Sequence, residues 1–140
     1  MRTEDVKPNF DISLVVTSRN LSLTELSQIL GKEPQSGSHC KGGARLTGEK
    51  WDCSVWRENA RDTNADWRDQ CLSLLREIPA NWADLQSRYP DDISISLDMA
   101  LFYDTAYASI SMPPSLLREI LHKNVGLEIA IYPVDETREE

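Results

Sequence analysis

The sequence predicts an α+β two-layer sandwich: a mostly antiparallel sheet with helices on one face, in the order β-α-β-α-β-β-α-β. Three observations carry this expectation. Apolar residues alternate with polar ones at 10–16, 93–103 and 127–132, the period of a strand. They recur at steps of three and four at 21–31, 67–89 and 114–123, the period of a helix. At 140 residues, 40% hydrophobic and 27% charged, the chain is long enough to bury one core and apolar enough to fold. A single domain follows, with its core at about 9–133, a Gly-rich loop at 32–50 and a solvated tail at 134–140.

The elements can be justified in order. In "FDISLVV", Phe10, Ile12, Leu14 and Val16 oppose Asp11 and Ser13, as in a strand with one buried face. "NLSLTELSQILG" then carries a helix start and stop. Ser22 and Glu25 form a capping box, Leu21 and Leu26 a hydrophobic staple, and Gly31 is placed for a left-handed close. Residues 32–50 hold four glycines besides a proline and read as a long loop or irregular hairpin.

"WDCSVWR" at 51–57 reads as a short strand, with Trp51, Cys53 and Val55 on one face. The longest helical pattern follows, through Trp67, Cys71, Leu74, Leu75, Ile78, Trp82, Leu85 and Tyr89. Pro79 inside it should kink the helix or open a second one. "ISISLDMALFY" alternates throughout, and an Asp104-Thr105 turn would return it into a further strand, "AYASISM". A helix near 114–123, with Gly126 just past its end, leads into the last strand, "LEIAIY". Strand, "SLTELSQILG", strand faintly echoes strand, "SLLREILHKNVG", strand.

Several motifs fail on their chemistry. In "KGGARLTGEKW", Glu49 occupies the lysine position of a phosphate-binding loop and Lys50 comes one residue late. A strand, not a helix, is expected next, so loop amides and a helix N-terminus cannot together hold a phosphate. "DTNAD" at 62–66 offers alternate oxygens, but Trp67 and Ser73 stand where a calcium loop needs glycine and glutamate. Asp66 or Asn64 is better read as a helix cap. His39, Cys40, Cys53 and Cys71 lack the paired spacing of a zinc site. No metal or cofactor is expected, and no nucleophile–base constellation marks an enzyme. His122, near a helix C-terminus, is explained by the dipole.

The run from "LSLTELSQILG" through "EP", a Gly-rich loop, a Trp-bearing strand and a long helix resembles the bacterial domain-of-unknown-function (DUF) 4279 family. "PSLLREILHKNVGLEIAIYP" is similar to that family's C-terminal helix and final strand. The resemblance covers roughly residues 9–133. It implies a fold and a bacterial origin, and it brings no catalytic residues with it.

Function must then be sought in charge and surface. Fifteen basic against 23 acidic residues give a net charge of −8 and a pI near 4.8. Such a chain is repelled by nucleic acid and anionic membranes but attracts a basic protein. "MRTEDVKPNF" has no apolar stretch of a signal peptide, no run is long enough to span a bilayer, and three cysteines are an odd number. These point to a cytoplasmic protein with reduced thiols. The leading expectation is a non-enzymatic binding protein, most concretely an immunity protein that neutralises a bacterial toxin. Its contacting surface would comprise Trp56, Asp91, Asp92, Asp98 and Asp104, with Asp98 on the sheet face opposite the apolar set. Two alternatives stand beside it. One is a structural or self-associating domain. The other is a small-ligand enzyme using the 32–50 loop, which has two more basic than acidic residues, as a lid.

Overall fold

A computed structural model of the chain describes residues 9–43, 47–78, 81–103 and 110–133. Within them four strands and four helices follow one another: β1 (Asn9–Ser18), α1 (Leu23–Leu30), β2 (Ser54–Asn59), α2 (Trp67–Arg76), α3 (Asn81–Arg88), β3 (Ser94–Tyr103), α4 (Pro114–His122) and β4 (Gly126–Pro133). The fold is α+β, as the two periodicities require. The sheet runs β2-β1-β3-β4. β1 is antiparallel to both β2 and β3, whereas β4 lies parallel to β3. The expected mostly antiparallel sheet is therefore mixed.

The expected element order differs in part. Among the described residues the order has four strands, one fewer than expected. The proposed Asp104-Thr105 turn and most of "AYASISM" lie outside the described residues, and Ile110–Met112 are in no strand. The 67–89 pattern divides into α2 and α3, with Pro79 itself outside the described residues. The echo between the two β-α-β stretches also ends at the helices. Around α1 the flanking strands pair antiparallel, and around α4 they pair parallel.

Local chemistry sets the helix ends. The Ser22–Glu25 capping box forms in both directions, at 3.1 Å each way. Gly31 closes α1 at φ 74°, its N–H donating to the Ser27 carbonyl at 2.9 Å. Past α4 the left-handed residue is Asn124, φ 57°, while Gly126 already belongs to β4. Asparagine tolerates that conformation because its short amide can bond locally. Asp66 stands at the α2 N-cap but makes no side-chain cap bond; its carboxylate meets Arg68 at 3.4 Å.

Ile12, Leu14, Val16, Trp56, Ile95, Leu97 and Met99 project from one face of the sheet into a single core with Leu26, Leu30, Leu74, Leu75, Trp82, Leu85, Leu116 and Ile120. Trp56 and Trp82 meet edge to face, 5.5 Å between centroids. β1 departs from the half-buried strand expected of it. It has a neighbour on each side, and Ile12–Val16 are buried on both faces.

The two sheet edges differ. Outside β2 runs the strap 35–43, which supplies the irregular hairpin foreseen for this loop. His39 exchanges both backbone hydrogen bonds with Val55 at 2.8 Å, and Gln35 N–H donates to the Arg57 carbonyl at 2.9 Å. Ser38 Oγ accepts from Arg57 N–H and Gln35 Oε1 from Asn59 N–H. The outward amides of β2 are thus satisfied. Along β4 no described segment does the same.

Candidate functional site

Alternation along each strand sends every second side chain to the face away from the helices. Register then fixes neighbours there. Asn59, Ser13, Asp98 and Glu128 lie in one row, Arg57, Val15 and Ser96 in the next, and Asp11, Ala100 and Ala130 on the other side. Phe102 and Tyr132 extend the face outward and stack, with centroids 5.2 Å apart. A shallow groove of about 160 Å³ opens among Asp11, Arg57, Asp98, Glu128 and Tyr132.

Each functional side chain owes its place to its strand. Asp98 is half-buried and accepts from Ser96 Oγ at 2.6 Å, which orients one carboxylate oxygen. Glu128 is its direct partner across the parallel ladder and is exposed. Two carboxylates so placed repel each other and raise the local negative potential. Asp11, exposed, joins them diagonally from β1. Arg57 supplies the one guanidinium lining the groove, its stem against Gly37 of the strap. A Cβ at Gly37 would come within 2.7 Å of Arg57 Cδ, and its φ is 93°, so glycine there lets the strap cross close over the arginine.

Chemically, carboxylates only accept hydrogen bonds, and neither histidine nor cysteine lines the groove. Its best ligand is a cationic group held by charge-assisted hydrogen bonds, with the aromatic pair beside it for apolar contact. Among the described residues no group of three His, Cys, Asp or Glu side chains is placed to hold a metal ion. Two larger hollows exist. One, of about 360 Å³, lies at the end of α1 by Ser27, Gln28 and Lys32; another, of about 390 Å³, lies along α2 by Asp62, Gln70 and Ser73. Neither gathers like charges onto a rigid sheet, and the second is spanned by an Arg61–Glu77 ion pair at 3.3 Å.

The residues expected to contact a partner scatter. Trp56 is corrected outright. It pairs with Val16 on the core-facing side of β2 and is fully buried, its Nε1–H donating to the Lys32 carbonyl at 3.3 Å. The strand begins at Ser54, not Trp51, and Trp51 instead stacks on His39 at 3.9 Å. Asp92 accepts hydrogen bonds from the Ser18 hydroxyl and from Arg19 N–H, tying the turn before β3 to the end of β1. Burial raises its pKa, but these donors, with Asn20 N–H and the Lys41 charge, lower it more, and the net shift is down. Asp91 is exposed beside it, in the turn before β3 rather than in a strand. Asp104 lies outside the described residues. Of those within the described residues, only Asp98 stands on the polar face as anticipated.

Asp11, Arg57, Glu128 and Tyr132 were missed. Asp11 and Glu128 were already visible as the polar members of alternating strands. What was hidden is the pairing of β4 with β3, which sets Glu128 beside Asp98.

The 32–50 loop offered as a lid is described at 32–43 and 47–50. Residues 35–43 are fastened along the β2 edge by the hydrogen bonds above. The three cysteines are free thiols: Cys40 exposed, Cys53 half-buried and Cys71 buried. Among the described residues no helix is long and apolar enough to cross a membrane.

Comparison with family models, with curated proteins and with solved structures returned no match for this chain. The resemblance to the DUF 4279 family rests on the residues quoted for it alone.

Proposed function

We propose that this chain is a non-enzymatic binding protein that receives a basic protein surface on the polar face of its sheet. The most concrete form of that role is an immunity protein that neutralises a toxin. The observation that carries the reading is the Asp98–Glu128 register pair, with Asp11 diagonal to it and the Phe102–Tyr132 stack beside it. In a chain of net charge −8, such a cluster steers a cationic partner and speeds its approach. The stacked rings supply rigid contact area at small entropic cost. Rigid strands hold all five residues, so little ordering is required on binding.

The test compares the tagged wild-type chain with D98K/E128K as baits in native cell lysate at low ionic strength. The expected result is one basic polypeptide retained at equal stoichiometry by the wild type, lost from the variant and eluted by high salt. Equal recovery on both baits, or none on either, overturns the reading.

A further inference from the structure

β4 is an edge strand of eight residues, and every one of its positions is exposed. Leu127, Ile129 and Ile131 share the helix-side face of β3's Leu97, Met99 and Leu101, yet are 37%, 41% and 56% exposed where their partners are buried. On α4, which leads into β4, Leu117 and Leu121 are 42% and 79% exposed. None of these five belongs to the core cluster or to the partly buried side chains packed against it. Natural sheets blunt an edge of this kind with lysine, proline or a bulge. β4 has no lysine, keeps its proline for the last position, and pairs with β3 in unbroken register.

We infer that β4 is the seam of a homodimer, in which a second copy adds its own β4 antiparallel to form one continuous eight-stranded sheet. Two observations select a second copy as the occupant. First, the patch is electrically balanced. From Pro114 to Pro133 the ionised side chains are Arg118 and Lys123 against Glu119 and Glu128, so the region nets to zero in a chain of −8. A basic partner gains nothing there, and a like-charged copy is not repelled. Second, the opposite edge is closed, because the strap 35–43 occupies the outward groups of β2. A β4 edge cannot add to β2 of the next copy, which would build an open filament; only β4 against β4 remains, and that contact closes on a two-fold axis.

Side-chain chemistry fits such an axis. With the dyad on Ile129, Leu127 faces Ile131 of the second copy and Ile129 faces its equivalent. Glu128, the strand's one charge, then faces Ala130. The apolar residues of β4 gain partners, and no carboxylate confronts another directly.

The assay is sedimentation equilibrium of the untagged chain, with circular dichroism as the check on folding. Wild type at about 100 µM, well above the Kd of even a micromolar dimer, should sediment at twice 15.9 kDa. Ile131→Lys should return it to 15.9 kDa with an unchanged spectrum. Leu121→Glu, at a more exposed position on α4, provides a second variant should Ile131→Lys fail to fold, and it should weaken the dimer at least tenfold. D11K/D98K, on the polar face of β1 and β3 and off β4, should leave the mass of the dimer unaltered, which separates this interface from the polar-face reading. A wild-type chain that stays monomeric, leaving the edge to an extended segment of another protein, overturns the inference. So does a dimer that neither variant disturbs.

Discussion

Glu58 sits on the core-facing side of β2, next in alternation to Trp56, and is only 3% exposed. Its carboxylate is met by Lys32 Nζ at 3.3 and 3.4 Å, from the segment just past α1. The two members are not equally buried: the lysine side chain is 30% exposed and the glutamate 4%. That asymmetry makes an unequal prediction for the two halves of the pair. Lys32→Met strands a carboxylate in the protein interior. Removing one partner of a fully buried pair costs about 3–5 kcal/mol, and the access of water on the lysine side brings this nearer 2 kcal/mol. Glu58→Met instead removes the buried charge, leaves a lysine that can turn to water and fills a site beside the core. Its cost should be about 0–1 kcal/mol. The double variant should recover most of the Lys32→Met loss, because no charge is then left buried. Urea unfolding followed by tryptophan fluorescence measures all three. With a slope of about 2 kcal/mol per molar urea, Lys32→Met should lower the midpoint by about 1 M and Glu58→Met by less than half that. If Glu58→Met is as damaging as Lys32→Met, or the double variant is no better than Lys32→Met alone, then the ion pair itself stabilises the fold and the desolvation argument fails.

Two further predictions concern single titratable groups. Asp92→Asn should cost about 1 kcal/mol near neutral pH, since it weakens charge-assisted bonds to Ser18 and Arg19 at a half-buried site. Because the folded carboxyl titrates below its ordinary value of 3.8, this contribution is complete above that pH and is lost as pH falls through the lower folded value; wild type and variant should converge there in acid denaturation, and parallel curves would refute it. Burial, aided by the nearby Asp66 charge, pushes the Cys71 thiol up to about 12, so at pH 8 an aromatic disulfide reagent should modify Cys40 readily and leave Cys71 untouched until the chain unfolds. Equal rates at the two thiols would show that the core around Met99 opens easily.

What the chain reveals in one dimension divides along physical lines. The α1 ends were legible because caps are local: Ser22, Glu25 and Gly31 act within a turn of where they stand. The core faces of β1 and β3 were legible because alternation needs no knowledge of neighbours. Trp56 was misplaced because β2 starts three residues later than its sequence suggests. In the observed strand the buried positions are Ser54, Trp56 and Glu58, an order that hydrophobicity alone does not reveal. A serine and a glutamate inside look like a polar outer face until Lys32 and the strap are placed around them.

The candidate site was the least legible part, and the cause lies in the connection through α4. Had β4 returned antiparallel like β2, a different residue would oppose Asp98, and sequence alone offers no means of choosing. The crossover instead runs β4 in the same direction as β3, so Ser96 to Tyr103 meet Gly126 to Pro133 in step. That one alignment has two consequences. On the polar face it sets Glu128 against Asp98 and Tyr132 against Phe102, which assembles the acidic and aromatic patch. On the helix face it carries Leu127, Ile129 and Ile131 beyond the shelter of the core. The charge cluster proposed to receive a basic partner and the apolar seam proposed to join two copies are therefore opposite faces of one strand. A substitution that shifted the β4 register by one residue would exchange them, exposing the apolar set on the acidic face and turning Glu128 toward the seam.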